Sequence, residues 1–273
     1  MKYKLLALDI DGTIVDENGV LSTRTSESII QAQQRGIVVV LATGRRLTST
    51  LPIAHELQLT NLLVVHNGAV VFDQNRKKNV LKHGIDLLIA QDILEMAHAN
   101  SINYLVFTGE SAGEIGIAPT GSWAESEDLL GVYLNETASF QDEVILNEDP
   151  IRISIIDRKE KIEPMYQSLM EKHGENLNAM LFGEDRGIWL GIEIVPGNCH
   201  KGFGLMYVAD YLGINSKEVI AVGDNVNDME MLAWAGLGIA MENATPELKS
   251  NADYIAPSIK DDGVSKIIKE FLL

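Results

Sequence analysis

The chain has 273 residues, of which 46% are hydrophobic, so it can bury the core of one large domain or of two smaller ones. Its formal net charge of −17 argues against nucleic acid or an anionic membrane surface as a partner, and no apolar run is long enough to span a bilayer. The single cysteine, Cys199, excludes an internal disulfide framework, so we expect a cytoplasmic protein.

The first 65 residues alternate between apolar strands and helices. Strands are predicted at residues 5–8, 37–41 and 62–65, and their continuous apolar runs are typical of strands that are buried on both faces. One helix is predicted at residues 22–35, and a second ends near residue 58. This order of elements indicates a doubly wound α/β fold with a Rossmann-like parallel sheet.

The pattern changes after this point. Short strands at residues 70–72 and 79–81 flank a turn and predict a β-hairpin. Half-buried strands then occur beside helices, and an acidic stretch at 109–149 shows no clear pattern. The elements predicted there are helices at 86–99 and 159–173 and strands at 103–107, 151–156, 179–182 and 188–194. We therefore expect an inserted α+β domain at 84–188 and a core formed by 1–83 and 189–273.

The α/β pattern resumes near the end of the chain. Strands are predicted at residues 219–222 and 237–241, with a helix before them that ends near residue 212. Thr245 and Pro246 have the residue types of an N-cap and a first helical position. A last helix is predicted at residues 263–271.

Polar residues follow the predicted core strands or begin the predicted helices. Alternation along a strand would point the carboxylates of Asp9 and Asp11 to the same side. The carboxyl ends of parallel strands meet at one edge of a sheet, so these two residues are expected to lie near Asp224 and Lys201. Several carboxylates in one place predict a hard cation, and Mg²⁺ suits them best. Thr43, with the backbone that follows it, is a candidate anion cradle.

These motifs resemble those of a known family. Asp9-Ile10-Asp11-Gly12-Thr13, Thr43-Gly44-Arg45, Lys201 and Gly223-Asp224-Asn225-Val226-Asn227-Asp228 are similar to the four motifs of the haloacid dehalogenase superfamily. The Asn67-Gly68 pair and the large insertion resemble its Cof-type sugar-phosphate phosphatase branch, which has a C2-type cap. The resemblance implies that the inserted domain is a cap that sets substrate specificity.

The resemblance also implies a role for each motif residue. Asp9 would be the nucleophile that forms an aspartyl-phosphate, Asp11 the general acid and then the general base, and Lys201 the residue that neutralises phosphoryl oxygens. The metal ligands would be Asp9, the Asp11 backbone carbonyl and Asp224. Asp228 would orient Lys201 or metal-bound water without touching the substrate. The phosphate or substrate would be bound by Gly12, Thr43, Gly44, Arg45, Asn67, Gly68 and Asn227.

Three functions remain open at this level. The first is a Mg²⁺-dependent phosphatase that acts on a small, sugar phosphate-like metabolite. The second is a phosphotransferase or phosphomutase on the same scaffold, in which a sugar hydroxyl replaces water as the acceptor. The third is a non-enzymatic phospho-acceptor module, against which Asp11 and the inserted domain count. The sequence leaves the physiological substrate and the oligomeric state open.

Overall fold

A computed structural model describes residues 2–109, 116–120, 138–183 and 188–273. The chain divides into two compact units. Unit 1 is formed by Met1–Leu81 and His200–Leu273, and unit 2 is formed by Lys82–Cys199. Residues 110–115 and 121–137 of the predicted acidic stretch lie outside the described residues.

The described residues form fourteen strands and eight α-helices. The strands are β1 (Leu5–Leu8), β2 (Val38–Leu41), β3 (Leu62–Val65), β4 (Val70–Asp73), β5 (Lys78–Lys82), β6 (Tyr104–Phe107), β7 (Gly116–Pro119), β8 (Ala138–Gln141), β9 (Arg152–Arg158), β10 (Leu177–Phe182), β11 (Trp189–Pro196), β12 (Val219–Gly223), β13 (Leu237–Met241) and β14 (Tyr254–Ala256). The helices are α1 (Thr23–Gln34), α2 (Leu47–Glu56), α3 (Leu87–Ala99), α4 (Lys159–His173), α5 (Lys201–Leu212), α6 (Met229–Trp234), α7 (Pro246–Asn251) and α8 (Gly263–Phe271).

Unit 1 contains a five-stranded parallel sheet in the order β14-β13-β12-β1-β2. The interior strand β1 is fully buried, and its Leu6 pairs with Ile220 of β12 on one side and Val39 of β2 on the other. Strand β1 is apolar along its whole length because an interior parallel strand is covered on both faces. The predicted doubly wound α/β fold with an inserted domain is confirmed.

Several helix ends follow from local side-chain chemistry. The Ser22 hydroxyl accepts a hydrogen bond from the Thr25 amide at the start of α1, and Gly36 after its end has a φ of +86°. Thr245 caps α7 with Pro246 as its first residue, as the sequence predicts. Helix α2 continues through Pro52 to Glu56, two residues short of the predicted end.

Strand β3 differs from its prediction as a third strand of the parallel sheet. It forms a separate three-stranded sheet in the order β3-β4-β5, in which Val64 pairs antiparallel with Val71. Among the described residues, one isolated parallel bridge, between Ala42 and Val64, pairs it with the chain that follows β2. The predicted hairpin, β4 with β5, therefore continues from β3, and the turn between β3 and β4 lies beside the end of β2.

Unit 2 contains a six-stranded mixed sheet in the order β10-β11-β9-β6-β7-β8. Helices α3 and α4 pack with the strands around one apolar core, which includes Ile153, Ile155, Ile192 and Ile194. Strand β11 begins after the predicted domain boundary at residue 188, yet it pairs with β9 and β10. The chain thus leaves unit 2 only after Cys199.

Strand β14 was missed by the sequence analysis. It has only three residues, and it pairs with β13 at the edge of the parallel sheet. No helix within the described residues is long and apolar enough to cross a bilayer.

Candidate active site

Four predicted residues meet at the carboxyl edge of the parallel sheet in unit 1. Asp9 directly follows β1, Asp224 directly follows β12, and Lys201 is the first residue of α5. Asp228 ends a short 3-10 helix, Val226–Asp228, that leads into α6. Residues that are far apart in sequence converge because β1 and β12 are neighbouring parallel strands.

Lys201 links two carboxylates in the interior of unit 1. Its Nζ lies 2.7 Å from Asp9 Oδ1 and 2.6 Å from Asp228 Oδ1. Lys201 is 1% exposed, Asp9 is 4% exposed, and Asp228 is fully buried. The ammonium group therefore holds one oxygen of each carboxylate in a fixed position.

Both oxygens of Asp228 are engaged within the protein. Oδ1 accepts a hydrogen bond from Lys201, and Oδ2 accepts hydrogen bonds from the backbone amides of Asp224 and Asn225, at 2.9 and 3.0 Å. Asp228 thus orients the ammonium of Lys201 and also fixes the turn that carries Asp224.

The pKa values in this cluster reflect burial and an excess of negative charge. Burial raises the pKa of Asp9 well above its usual range, and Asp228 raises it further, although Lys201 acts in the opposite direction. Burial and then Asp228 raise the pKa of Asp224 to about 6. Burial acts to lower the pKa of Lys201, but Asp228 and Asp9 outweigh it and the pKa is raised. Lys201 therefore stays protonated.

The cluster fits a divalent cation by geometry and by charge. One carboxylate oxygen each from Asp9, Asp224 and Asp228 lie within 4.8 Å of one another. Three carboxylates face one ammonium, so two negative charges are left over, and a hard divalent cation with oxygen ligands would balance them. Because both oxygens of Asp228 already accept hydrogen bonds, Asp9 and Asp224 are the carboxylates better suited to contact the ion.

Gly12 and Thr13 shape the position of Asp224. The Thr13 hydroxyl donates to Asp224 Oδ1 at 3.3 Å. Gly12 has a φ of +77°, and a Cβ atom there would lie 2.1 Å from Asp224 Oδ2. Glycine is therefore required for both the backbone conformation and the close approach of the carboxylate. The contact with Asp224 is by itself a sufficient reason for a glycine at position 12, whether or not Gly12 also binds phosphate.

Asp11 lies in a different environment from Asp9. Strand β1 ends at Leu8, so strand alternation does not extend to Asp11. The Asp11 side chain is 60% exposed, and its two oxygens accept hydrogen bonds from Arg45 Nε at 2.8 Å and Arg45 Nη2 at 2.5 Å. The structure thus pairs Arg45, a predicted substrate-binding residue, with the predicted general acid.

The predicted phosphate-binding turn after β2 is held against the turn after β3. The Thr43 hydroxyl accepts a hydrogen bond from the Arg45 amide at 3.0 Å, and the Asn67 amide donates to the Thr43 carbonyl at 3.0 Å. Asn227 Nδ2 donates to Asn67 Oδ1 at 3.1 Å. A Cβ atom on Gly44 would lie 3.1 Å from the Asn67 carboxamide. The structure therefore brings these four predicted residues together beside Arg45.

The turn after β3 also supports the helix that carries Lys201. His66 and Asn67 both have positive φ values, 50° and 51°, and Gly68 has a φ of +90°. A Cβ atom on Gly68 would lie 2.1 Å from the His200 carbonyl oxygen. Gly68 therefore allows close packing against the start of α5, and this contact accounts for the glycine without a bound substrate.

Comparison with known proteins identifies the family. A family model described as haloacid dehalogenase-like hydrolase matches residues 6–268. The chain belongs to the haloacid dehalogenase-like hydrolases. The matched residues include every member of the cluster around Lys201.

Individual haloacid dehalogenase-like relatives are similar over almost the whole chain. The 5-amino-6-(5-phospho-D-ribitylamino)uracil phosphatase YcsE of Bacillus subtilis (strain 168) is 28% identical over 278 residues, which cover 99% of this chain and 96% of the relative. The phosphatase YitU of the same organism, with the same substrate in its name, is 26% identical over 274 residues, covering 99% and 98%. A haloacid dehalogenase-like hydrolase from Bacteroides thetaiotaomicron has a crystal structure that is 26% identical, with a TM-score of 0.82 and coverage of 98% and 99%.

These similarities confirm the family, the inserted C2-type cap and the class of enzyme that the motifs predict. The chain is a haloacid dehalogenase-type phosphatase, a phosphoric monoester hydrolase. The sequence analysis did not assign Asn243, whose Nδ2 donates to the Gly12 carbonyl at 2.8 Å. Its place two residues after the end of β13, at the same sheet edge as Asp9 and Asp224, is the signal that could have pointed to it.

Proposed function

We propose that this phosphatase uses Mg²⁺ and the carboxylate of Asp9 to hydrolyse a small phosphorylated metabolite through an aspartyl-phosphate intermediate. The observation that carries the proposal is the buried contact of Lys201 with both Asp9 and Asp228. Lys201 binds Oδ1 of Asp9, so Oδ2 is the oxygen that would attack phosphorus. Mg²⁺, held by Asp9, Asp224 and the Asp11 carbonyl, would neutralise charge on the phosphoryl oxygens.

Asp9 and Lys201 divide the work of the first step. The Asp9 carboxylate attacks phosphorus in line with the leaving oxygen, so that a bond from Asp9 to phosphorus forms and the ester P–O bond breaks. The Lys201 ammonium stays protonated and stabilises negative charge on the transferring group. Asp228 keeps Lys201 in position through a contact of 2.6 Å.

Asp11 would manage the proton in both steps. It gives a proton to the departing alkoxide, and it then takes a proton from the water that attacks the aspartyl-phosphate. Phosphate leaves and the Asp9 carboxylate is restored. The exposed position of Asp11 supports this role because its side chain is open to a leaving group and to water.

The remaining predicted residues would hold the phosphate and the substrate. The Thr43 hydroxyl, Gly44, Asn67 and Asn227 form one contact network beside Arg45. We propose that Gly12 and Gly68 support the site without binding the substrate. Gly12 makes room for the Asp224 carboxylate, and Gly68 allows close packing against the start of α5. Unit 2 would supply the residues that select the organic group of the substrate.

The substrate class can be narrowed by the named relatives. The substrate in the names of YcsE and YitU is a phosphorylated sugar alcohol attached to a pyrimidine. We propose a metabolite of this kind, with a primary phosphate ester on a hydroxylated carbon chain. Sugar monophosphates share that ester chemistry and belong in the same test.

A phosphate-release assay tests this function. The purified protein is given p-nitrophenyl phosphate, hexose monophosphates and 5-amino-6-(5-phospho-D-ribitylamino)uracil, with Mg²⁺ or with EDTA. We expect turnover that EDTA abolishes and that Asp9→Asn removes, while the exposed control Asp210→Asn keeps it. If Asp9→Asn keeps wild-type turnover, Asp9 is not the nucleophile. If the product is an isomerised ester in place of free phosphate, the enzyme is instead a phosphomutase.

A further inference from the structure

Asn243 connects two distant segments beside the proposed metal site. Its Nδ2 donates to the Gly12 carbonyl at 2.8 Å, and its Oδ1 accepts from the Ile259 amide at 3.1 Å. Both ends of one carboxamide are therefore used in fixed directions. Two residues later, the Thr245 amide donates to the Asp224 carbonyl at 3.0 Å. The segment after β13 thus holds the backbone of both Gly12 and Asp224.

The position of Gly12 sets the position of the Asp224 carboxylate. That carboxylate packs directly on Gly12, where a Cβ atom would lie 2.1 Å from Oδ2, and the next residue, Thr13, donates to Oδ1. On its other side, the Gly12 amide donates to the Val15 carbonyl at 2.9 Å. A displacement of the Gly12 peptide would therefore move the Asp224 carboxylate and the adjacent Asp11 carbonyl together.

We propose that Asn243 is a positioning residue for the divalent cation. It acts through Gly12, whose carbonyl it holds, and it sets the distance between the Asp11 carbonyl and the Asp224 carboxylate. The Ile259 amide orients Asn243 from the opposite side. This inference rests on the proposed function, because it takes Asp224 and the Asp11 carbonyl as ligands of Mg²⁺.

Calorimetric titration of the whole protein with Mg²⁺, in the absence of any substrate, tests the inference. We expect Asn243→Ala to weaken Mg²⁺ binding roughly 10-fold, the lower end of the loss seen when a partner of a metal ligand is removed. The matched control is Asn251→Ala, an exposed asparagine whose carboxamide donates to the Glu247 carbonyl in α7. It should bind Mg²⁺ as the wild type does.

A second variant separates positioning from folding. Ile259 is the first residue of a short 3-10 helix, where proline is tolerated, so Ile259→Pro removes the amide that orients Asn243 together with the half-buried isoleucine side chain. We expect a weaker Mg²⁺ affinity here as well, by about 3-fold. A purely structural role would lower the melting temperature in EDTA but leave the Mg²⁺ affinity of both variants unchanged, and that result would overturn the inference.

Asp224→Asn distinguishes this failure from failure of the proposed function. If Asp224→Asn abolishes Mg²⁺ binding while Asn243→Ala and Ile259→Pro keep wild-type affinity, only the role of Asn243 is wrong. If Asp224→Asn itself binds Mg²⁺ as the wild type does, the proposed metal site is wrong.

Discussion

Units 1 and 2 both bury charged side chains, but they do so in different parts of their structure. In unit 1, Asp9, Lys201 and Asp228 lie in turns at strand ends and at a helix start. In unit 2, the buried Arg152 is the first residue of strand β9, and its Nη1 lies 3.3 Å from Oε1 of Glu193 in strand β11. The first group lies at the carboxyl edge of a parallel sheet, where α/β folds bind ligands, and the second joins two neighbouring strands of a mixed sheet.

The two groups also differ in their balance of charge. Asp9, Asp224 and Asp228 face a single ammonium, which leaves two negative charges to be neutralised. Arg152 pairs with the carboxylate of Glu193, and its guanidinium lies 4.3 Å from the centre of the Phe107 ring. Burial of charge therefore does not by itself mark a catalytic site. An excess of buried negative charge at the carboxyl edge of a parallel sheet is a more specific sign of a catalytic site.

The largest expected effect comes from the cation of the unit 1 cluster. Lys201→Met should lower kcat for p-nitrophenyl phosphate roughly 10³–10⁵-fold, because it removes a charge that stabilises the transferring phosphoryl group and also frees Asp9 to move. It leaves Asp9 and Asp228 buried together, so the free energy of unfolding should fall by about 3–5 kcal/mol. Steady-state kinetics and urea denaturation measure the two effects. The exposed Lys266→Met is the control and should change neither.

Asp11→Asn should lower kcat by roughly 10²–10⁴-fold, the usual contribution of a positioned acid–base group. Its side chain is exposed and pairs with Arg45, so the melting temperature should change little. The assay compares an alkyl phosphate with p-nitrophenyl phosphate, whose leaving group needs less protonation. An equal rate for Asp11→Asn and wild type on the alkyl phosphate would remove Asp11 from this role.

The ion pair between Arg152 and Glu193 in unit 2 should be replaceable by neutral side chains with little loss of stability, unlike the charged cluster around Lys201 in unit 1. Arg152→Met should lower the free energy of unfolding by about 2 kcal/mol, because it removes a buried ion pair with Glu193. Adding Glu193→Gln should recover most of that loss in the free energy of unfolding, since the carboxylate that faced Arg152 is then neutral. Urea denaturation of the single and double variants measures the coupling between the two sites. A double variant no more stable than Arg152→Met would show that the comparison between the units is wrong.

The smallest expected changes in the free energy of unfolding come from two buried serines, one in each unit. Within the described residues, Ser154 Oγ in unit 2 has no hydrogen-bond partner, whereas Ser28 Oγ in unit 1 lies 2.7 Å from Ser265 Oγ. Ser154→Ala should therefore raise the free energy of unfolding by about 1 kcal/mol, and Ser28→Ala should lower it by about 1 kcal/mol. Thermal unfolding of both variants checks the signs. Equal changes in the melting temperature of the two variants would contradict the difference in hydrogen bonding between Ser154 and Ser28.

The sequence predicts much of the core because apolar runs and motif residues occupy the same places in it. Strand β13 and helices α4 and α8 have the predicted bounds, since the apolar spacing of each segment indicates its type and length. Strand β14 is absent from the prediction because three residues carry too little pattern. The predicted domain boundary at residue 188 cuts off β11 because an apolar run does not reveal its pairing partner. Pairing is a tertiary property that periodicity does not encode.

The site was predictable to the extent that function depends on residue type at a strand end. Asp9, Asp224 and Lys201 could be chosen in this way, but the ion pair of Asp11 with Arg45 could not, because it depends on side-chain direction after the strand has ended. The hydrogen bond from Asn243 to Gly12 joins residues 231 positions apart. Such a contact is visible only once the sheet has been assembled.

The order of strands in unit 1 has a consequence for biosynthesis. Strand β1 pairs with β12, which the ribosome makes only after all of unit 2. Leu6 therefore cannot pair with Ile220, and Asp9 cannot contact Lys201, before unit 2 has been synthesised. Until then, β1 has an open edge that is apolar on both faces, a surface prone to pairing with other chains. A nascent chain that stalls near residue 199 is thus the form of this protein most exposed to aggregation and most in need of a chaperone.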